Sequence, residues 1–105
     1  MRKVTIEAGE TSRNRGGVHA VKLLSRPEVD AVHITVAPGA TLPLHVTPVD
    51  VFFYILQGSG EVEIGPERER VNPDMLIESP KDIPHALHNP GEEDFRVLVV
   101  KTPRP

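Results

Sequence analysis

The sequence predicts an all-β sandwich or barrel with little or no helix. Three observations carry that expectation: the punctuation of the chain by proline and glycine, the β-branched and aromatic make-up of the pieces between, and turn chemistry at regular intervals. Eleven prolines among 105 residues is about twice the usual 5%, and eight glycines divide the chain further. The longest stretches free of both are Glu92 to Thr102, eleven residues, and Glu28 to Ala37, ten residues. A proline inside a helix removes a hydrogen-bond donor and clashes with the preceding turn. Pieces this short therefore suit strands of about five to six residues.

Taken in order, Glu7 to Gly17 is polar and glycine-containing and reads as a loop over the surface or across a pocket mouth. Val29 to Val36 is a strand by its β-branched content, and Ala37-Pro38-Gly39 turns the chain after it. Val51-Phe52-Phe53-Tyr54-Ile55-Leu56 is a second strand, closed by Gln57-Gly58-Ser59-Gly60. Gly65-Pro66 begins a hairpin whose solvated side is Glu67-Arg68-Glu69-Arg70. Asn89-Pro90-Gly91 and Glu92-Glu93-Asp94 form turns before the last strand, Phe95 to Val100. Eight to ten such strands are expected, in one domain spanning 1–105 with a barrel core at about 18–101.

Two strands are apolar on both faces. Side chains alternate along a strand, so Val51, Phe53 and Ile55 share one face, and Phe52, Tyr54 and Leu56 the other. Val97 and Val99 oppose Leu98 and Val100 in the same way. An antiparallel sheet with one wet face would read apolar-in, polar-out. The double-sided pattern predicts cover on the outer face, and for so short a chain a homodimer is the expected source.

Composition removes several function classes. Lys and Arg number 12 against 15 Asp and Glu, a net charge of −3 without a basic stripe. Nucleic acid is an unsuitable partner, because phosphate neutralisation needs clustered cations. Without cysteine there is neither a disulfide framework nor a thiolate metal site. No apolar run approaches the ~20 residues of a membrane span, and MRKVTIEAGE lacks a signal peptide's apolar core. The expectation is a cytoplasmic protein with no membrane partner.

Five histidines remain: His19, His33, His45, His85 and His88. Strand parity turns His33 away from Val32, Ile34 and Val36, and sets His88 with Ala86 on the face opposite His85, Leu87 and Asn89. His19, His33 and His88 are read as ordinary surface or hydrogen-bonded residues. Gly39, His45, Thr47, Val51 and Gly58 fit the frame G-x5-H-x-H-x3-E-x6-G, and Gly65, Pro73, Pro80, Ile83, Pro84, His85 and Asn89 fit a looser second motif ending H-x3-N. In these two motifs, over roughly Val29 to Val100, the sequence resembles the cupin family.

The resemblance implies a double-stranded β-helix of the jelly-roll type, with a divalent metal (zinc, iron, manganese or nickel) bound inside. His45 matches the first ligand and His85 the last. Thr47 stands where a second histidine is usual, and Val51 where a glutamate is usual. Catalytic zinc keeps three protein ligands, and non-heme iron commonly takes two histidines and a carboxylate. Thr47 and Asp50 are the candidates to complete the shell, although parity turns Asp50 outward unless a bulge intervenes. The expected pocket is lined by Thr47, Val51, Phe53, Leu87 and Asn89.

Three classes of function follow. One is a metal-dependent cupin enzyme, such as a sugar or keto-acid isomerase or a dioxygenase-like protein. Another is a metal-free sensor or carrier with a small-molecule ligand. The third is a metal-free enzyme using His45 or His85 as general base, for which the sequence offers no inward carboxylate partner. The residues alone do not decide whether the protein is catalytic.

Overall fold

In the computed structural model, which describes residues 1–105, ten strands and no helix account for the regular structure. They are β1 (Glu10–Arg15), β2 (Val18–Arg26), β3 (Val29–Val36), β4 (Thr41–His45), β5 (Asp50–Gln57), β6 (Glu61–Ile64), β7 (Glu67–Arg70), β8 (Leu76–Ser79), β9 (His85–His88) and β10 (Phe95–Thr102). No helix is long and apolar enough to cross a membrane.

The strands form two antiparallel sheets. One has six strands in the order β1-β2-β3-β10-β5-β8, and the other four in the order β4-β9-β6-β7. Alternation of side chains sets which residues lie between them. Val51, Phe53 and Ile55 of β5 are buried, as are Phe95, Val97 and Val99 of β10 and Val32, Ile34 and Val36 of β3. Register stacks these sets: Val99 pairs with Val32 on one side and Phe53 on the other. With Leu42, Val62 and Leu87 from the facing sheet they belong to one cluster of 15 buried residues. Burying a side chain of this size contributes roughly 1.5–3 kcal/mol, so this shared interior holds the sheets face to face.

The expected loop at Glu7 to Gly17 is mostly a strand. Residues Glu10–Arg15 pair with β2, and Arg15 lies opposite Val18 across the two-residue turn Gly16-Gly17. Both glycines have positive φ, 61° and 77°, as a tight hairpin turn matching strand twist requires. β1 reads as loop because it is an edge strand that is almost wholly exposed. Its register shifts between Thr11 and Arg13, a bulge that turns the strand over the end of the interior.

The outer face of the large sheet is covered unevenly. Val21 of β2 is 1% exposed although it points outward, because Gly9 lies so close that a methyl group there would strike its side chain. On β5 and β10, Phe52, Tyr54, Leu98 and Val100 are half-buried, and Leu76 of β8 is exposed. Tyr54 pairs with Leu98 and Leu76, and Phe52 with Val100, which makes one continuous apolar patch.

Candidate functional site

The chain from Pro38 to His45 and the chain from Pro84 to His88 meet as β4 and β9. Leu42 pairs with Leu87 and His45 with His85, with an irregularity between that reorients the end of β4. The two imidazoles, forty positions apart, come edge to face with centroids 4.4 Å apart. His85 also packs edge-on against Phe53 of the opposite sheet at 5.3 Å. His85 is 3% exposed, whereas His45 stands at the open side.

The hydrogen bonds fix where the protons sit. His45 Nδ1 is 3.0 Å from the carbonyl oxygen of Pro43, which only accepts, so Nδ1 carries the proton and donates. Nε2 of a neutral His45 therefore accepts, and His85 Nε2–H donates to it over 3.0 Å. That leaves His85 Nδ1 to accept from the Ser79 hydroxyl at 2.7 Å. With neutral rings the result is a directional chain, Ser79 to His85 to His45 to Pro43, in which every ring nitrogen is used. Burial, then the neighbouring His45, then Lys101 push the His85 pKa down to about 4, which keeps it neutral over the physiological range.

This pair forms part of the wall of a cavity of about 240 Å³ between the sheets. Phe53 and Leu87 line it, together with Ala20, Val32, Leu42 and Val99. Its remaining polar lining consists of Ser12 and Arg13 from β1, Lys22 from β2, Asp30 from β3 and Lys101 from β10. None of these five was identified from sequence, yet parity carries a signal for three. Lys22 follows Val18 and Ala20, Asp30 precedes Val32 and Ile34, and Lys101 follows Val97 and Val99 at two-residue steps. Each is thus a charge at the end of a buried row. Arg13 had no such signal, because the β1 bulge sets its direction.

Residues 32–101 match the family model described as "Cupin domain". The chain belongs to the cupin superfamily. Solved structures agree with that membership. KdgF from Halomonas sp. superposes with a TM-score of 0.85 at 24% identity, over 98% of this chain and 94% of that one. A predicted oxalate decarboxylase from Thermotoga maritima gives 0.85 at 18% identity, over 99% and 100%. The polyketide cyclase RemF from Streptomyces resistomycificus gives 0.83 at 22%, over 99% and 80%. At these identities the likeness establishes the jelly-roll fold. No curated protein is similar enough to the chain to count as a match.

The metal that the cupin fold implies is tested by the donors this chain supplies. The Nε2 atoms of His45 and His85 face one another, but no group of three or more His, Cys, Asp or Glu side chains stands close enough to hold an ion. Asp50 does not complete the shell. Its exposed carboxylate accepts the Lys81 backbone N–H at 3.0 Å on the outside of the barrel, following the parity of β5. Thr47 is buried with its hydroxyl 3.4 Å from His85 Nε2, but it is a weak neutral donor. Two imidazoles fall short of the three protein ligands of a catalytic zinc site or the two-histidine, one-carboxylate iron site. The residues present do not fit a resident metal.

Further expectations about the cupin pocket need correcting. Asn89 is buried but serves the backbone: its Nδ2 donates to the carbonyls of Val36 and Glu93, and its Oδ1 accepts from Gly91 N–H. Those bonds pin the turn before β10 and leave none of its side-chain amide for the cavity. Val51 is packed into the core cluster and, like the buried Thr47 behind His85, does not line the cavity. The other histidines have ordinary partners. His88 meets Glu63 at 2.9 Å and Thr41 at 3.2 Å, His33 accepts from Arg96 Nε at 3.1 Å, and His19 approaches Thr11 Oγ1 at 3.4 Å.

Proposed function

We propose that this cupin is a metal-free barrel that binds one small organic molecule between its sheets, as a sensor or carrier does. The observation that carries the reading is the cavity of about 240 Å³, half of whose 14 lining residues are hydrophobic. Small-molecule sites are largely apolar with a few directed polar groups, and drug-sized ligands take roughly 300–1,000 Å³. A somewhat smaller space suits a compact metabolite. The self-contained hydrogen bonding of the His45–His85 pair supports a structural and shape-determining role for these rings.

A metabolite library screened by thermal shift and native mass spectrometry tests the reading, with metal analysis of protein purified without added metal alongside. A one-to-one organic adduct and sub-stoichiometric metal are expected. Stoichiometric metal that disappears in a His45→Ala, His85→Ala variant would overturn it. In the same proposal a second copy of the chain covers the apolar patch of Phe52, Tyr54, Leu98 and Val100, because the chain's own N-terminal residues Ile6 and Glu7 lie beside His19, Val21, His33 and Thr35 over β2 and β3.

A further inference from the structure

Two buried side-chain polar atoms in the protein lack a hydrogen-bond partner, Arg13 Nε and Asp30 Oδ1. Both residues line the one cavity that holds the histidine pair. They are complementary: Arg13 Nε is a donor, and Asp30 Oδ1 belongs to a carboxylate that is 5% exposed. Most buried polar groups in native proteins are paired, so each orphan calls for a specific account.

The surroundings of these atoms are cationic. Arg13, Lys22 and Lys101 line the cavity against Asp30 as its only carboxylate, in a protein whose net charge is −3. Lys101 and Asp30 are register partners on the inner face of β10 and β3, but no ion pair joins them. The protein's salt bridges are Arg68–Glu61 and His88–Glu63, both elsewhere. A cavity that keeps three cations and one buried carboxylate unclosed is arranged for a ligand that is anionic at one point and donates a hydrogen bond at another.

We propose that the cavity binds a small hydroxy acid, whose carboxylate lies among Arg13, Lys22 and Lys101 and whose hydroxyl donates to the Asp30 carboxylate. Charge-assisted hydrogen bonds are about twice as strong as neutral ones, which selects acids over neutral polyols. The Asp30 carboxylate accepts a hydrogen bond from a hydroxyl, which selects hydroxylated acids over their deoxy counterparts. The inference rests on the small-molecule reading above and adds the ligand's chemical class to it.

The test is calorimetric titration of the full-length protein with glycerate, malate and gluconate. Glycerol and glucitol serve as uncharged controls, and propionate and succinate as acids without the hydroxyl. At least one hydroxy acid is expected to bind about tenfold or more tightly than each uncharged or deoxy control matched to it. Lys101→Met and Lys22→Met keep the apolar stem and should each weaken that acid about tenfold, with little effect on polyols. Asp30→Leu, which keeps the side-chain shape without an acceptor and is checked for folding by circular dichroism, should bring the hydroxy acid to the affinity of its deoxy control. If Asp30→Leu does not fold, the two lysine variants still decide the charge assignment. Polyols binding as well as the acids, or lysine variants that leave acid affinity unchanged, would overturn the hydroxy-acid assignment and leave the small-molecule reading standing. Absence of binding by these acids and by every member of the metabolite library would remove both.

Discussion

His85 Nε2 lies 3.0 Å from His45 Nε2, and only one of the two nitrogens carries a proton. The Pro43 carbonyl, which only accepts, settles which: it holds the His45 proton on Nδ1, so Nε2 of the neutral ring accepts. Nitrogen-15 chemical shifts near neutral pH should therefore report His45 protonated on Nδ1 and His85 on Nε2. Ser79 is 1% exposed, so Ser79→Ala leaves His85 Nδ1 buried without a donor. A loss of about 1–3 kcal/mol in denaturant unfolding is expected, together with a mixed tautomer signal for His85. Unchanged stability with an unchanged His85 tautomer would mean that the hydroxyl does not hold the ring.

The same burial makes the fold sensitive to acid. The folded-state pKa of His85 is near 4, below the ordinary 6.5, and His33 is shifted in the same direction by burial and by Arg96. Between these values the unfolded chain binds a proton that the folded chain refuses, so stability falls as pH drops from about 6.5 towards 4. The His85 contribution is complete above 6.5 and levels off below about 4, with a slope of no more than about 1.4 kcal/mol per pH unit. Urea midpoints measured across that range should decline in the wild type and decline less steeply in His85→Gln. An equal decline in both would assign the acid sensitivity to other groups.

The meeting of His45 and His85 was legible because both lie in recognisable motif frames on strands whose inward faces are apolar. The burial of Val51, Phe53 and Ile55 followed from parity alone. The polar half of the cavity was harder to see. Lys22, Asp30 and Lys101 each sit at the end of an inward row, where a charge is readily taken as the point at which a strand reaches solvent. β1 was hidden for another reason. An edge strand with little buried surface has no apolar alternation to display, and its one local sign was the Gly16-Gly17 pair. Asn89 was assigned to the pocket by parity, but a short amide facing two carbonyls satisfies the backbone first.

The second apolar face of β5 predicts self-association. Tyr54 and Leu98 are paired, half-buried neighbours at the centre of the apolar patch. Light scattering at micromolar concentration should give twice the mass of the 11.5 kDa chain. Leu98→Glu, which places a charge at the centre of that surface, should shift the population to monomer without lowering the monomer's own stability. A wild-type protein that is monomeric at these concentrations would remove the second copy.

Packing beside the Gln57-to-Gly60 turn predicts a sharp steric effect. A methyl group at Gly60 would overlap the ring of Phe95, which is 0% exposed and has no room to yield. Gly60→Ala should cost about 1–3 kcal/mol, as overpacked interiors do. Adding Phe95→Leu removes the ring that the methyl strikes. The double variant should then lose less than the sum of the two single losses when unfolding is followed by fluorescence or circular dichroism. Strict additivity would show that the two sites do not touch.

Thr47 gives the most direct test of why the donor set falls short. Its hydroxyl is already 3.4 Å from His85 Nε2 and shielded from solvent, in the position where the cupin motif ordinarily places a histidine. Thr47→His would bring a third imidazole to a pair whose Nε2 atoms already face each other, and three protein ligands is the number a zinc site with an open position uses. Zinc affinity, measured by competition with a chromophoric chelator, should rise by roughly two orders of magnitude, or about 2.7 kcal/mol. Zinc must compete for the lone pairs now engaged in the Ser79–His85–His45 chain, so the gain should diminish as pH falls and the imidazoles protonate. Wild-type protein that already binds zinc as tightly as the variant would show that two histidines with water suffice here, and the metal-free reading would fall with that result.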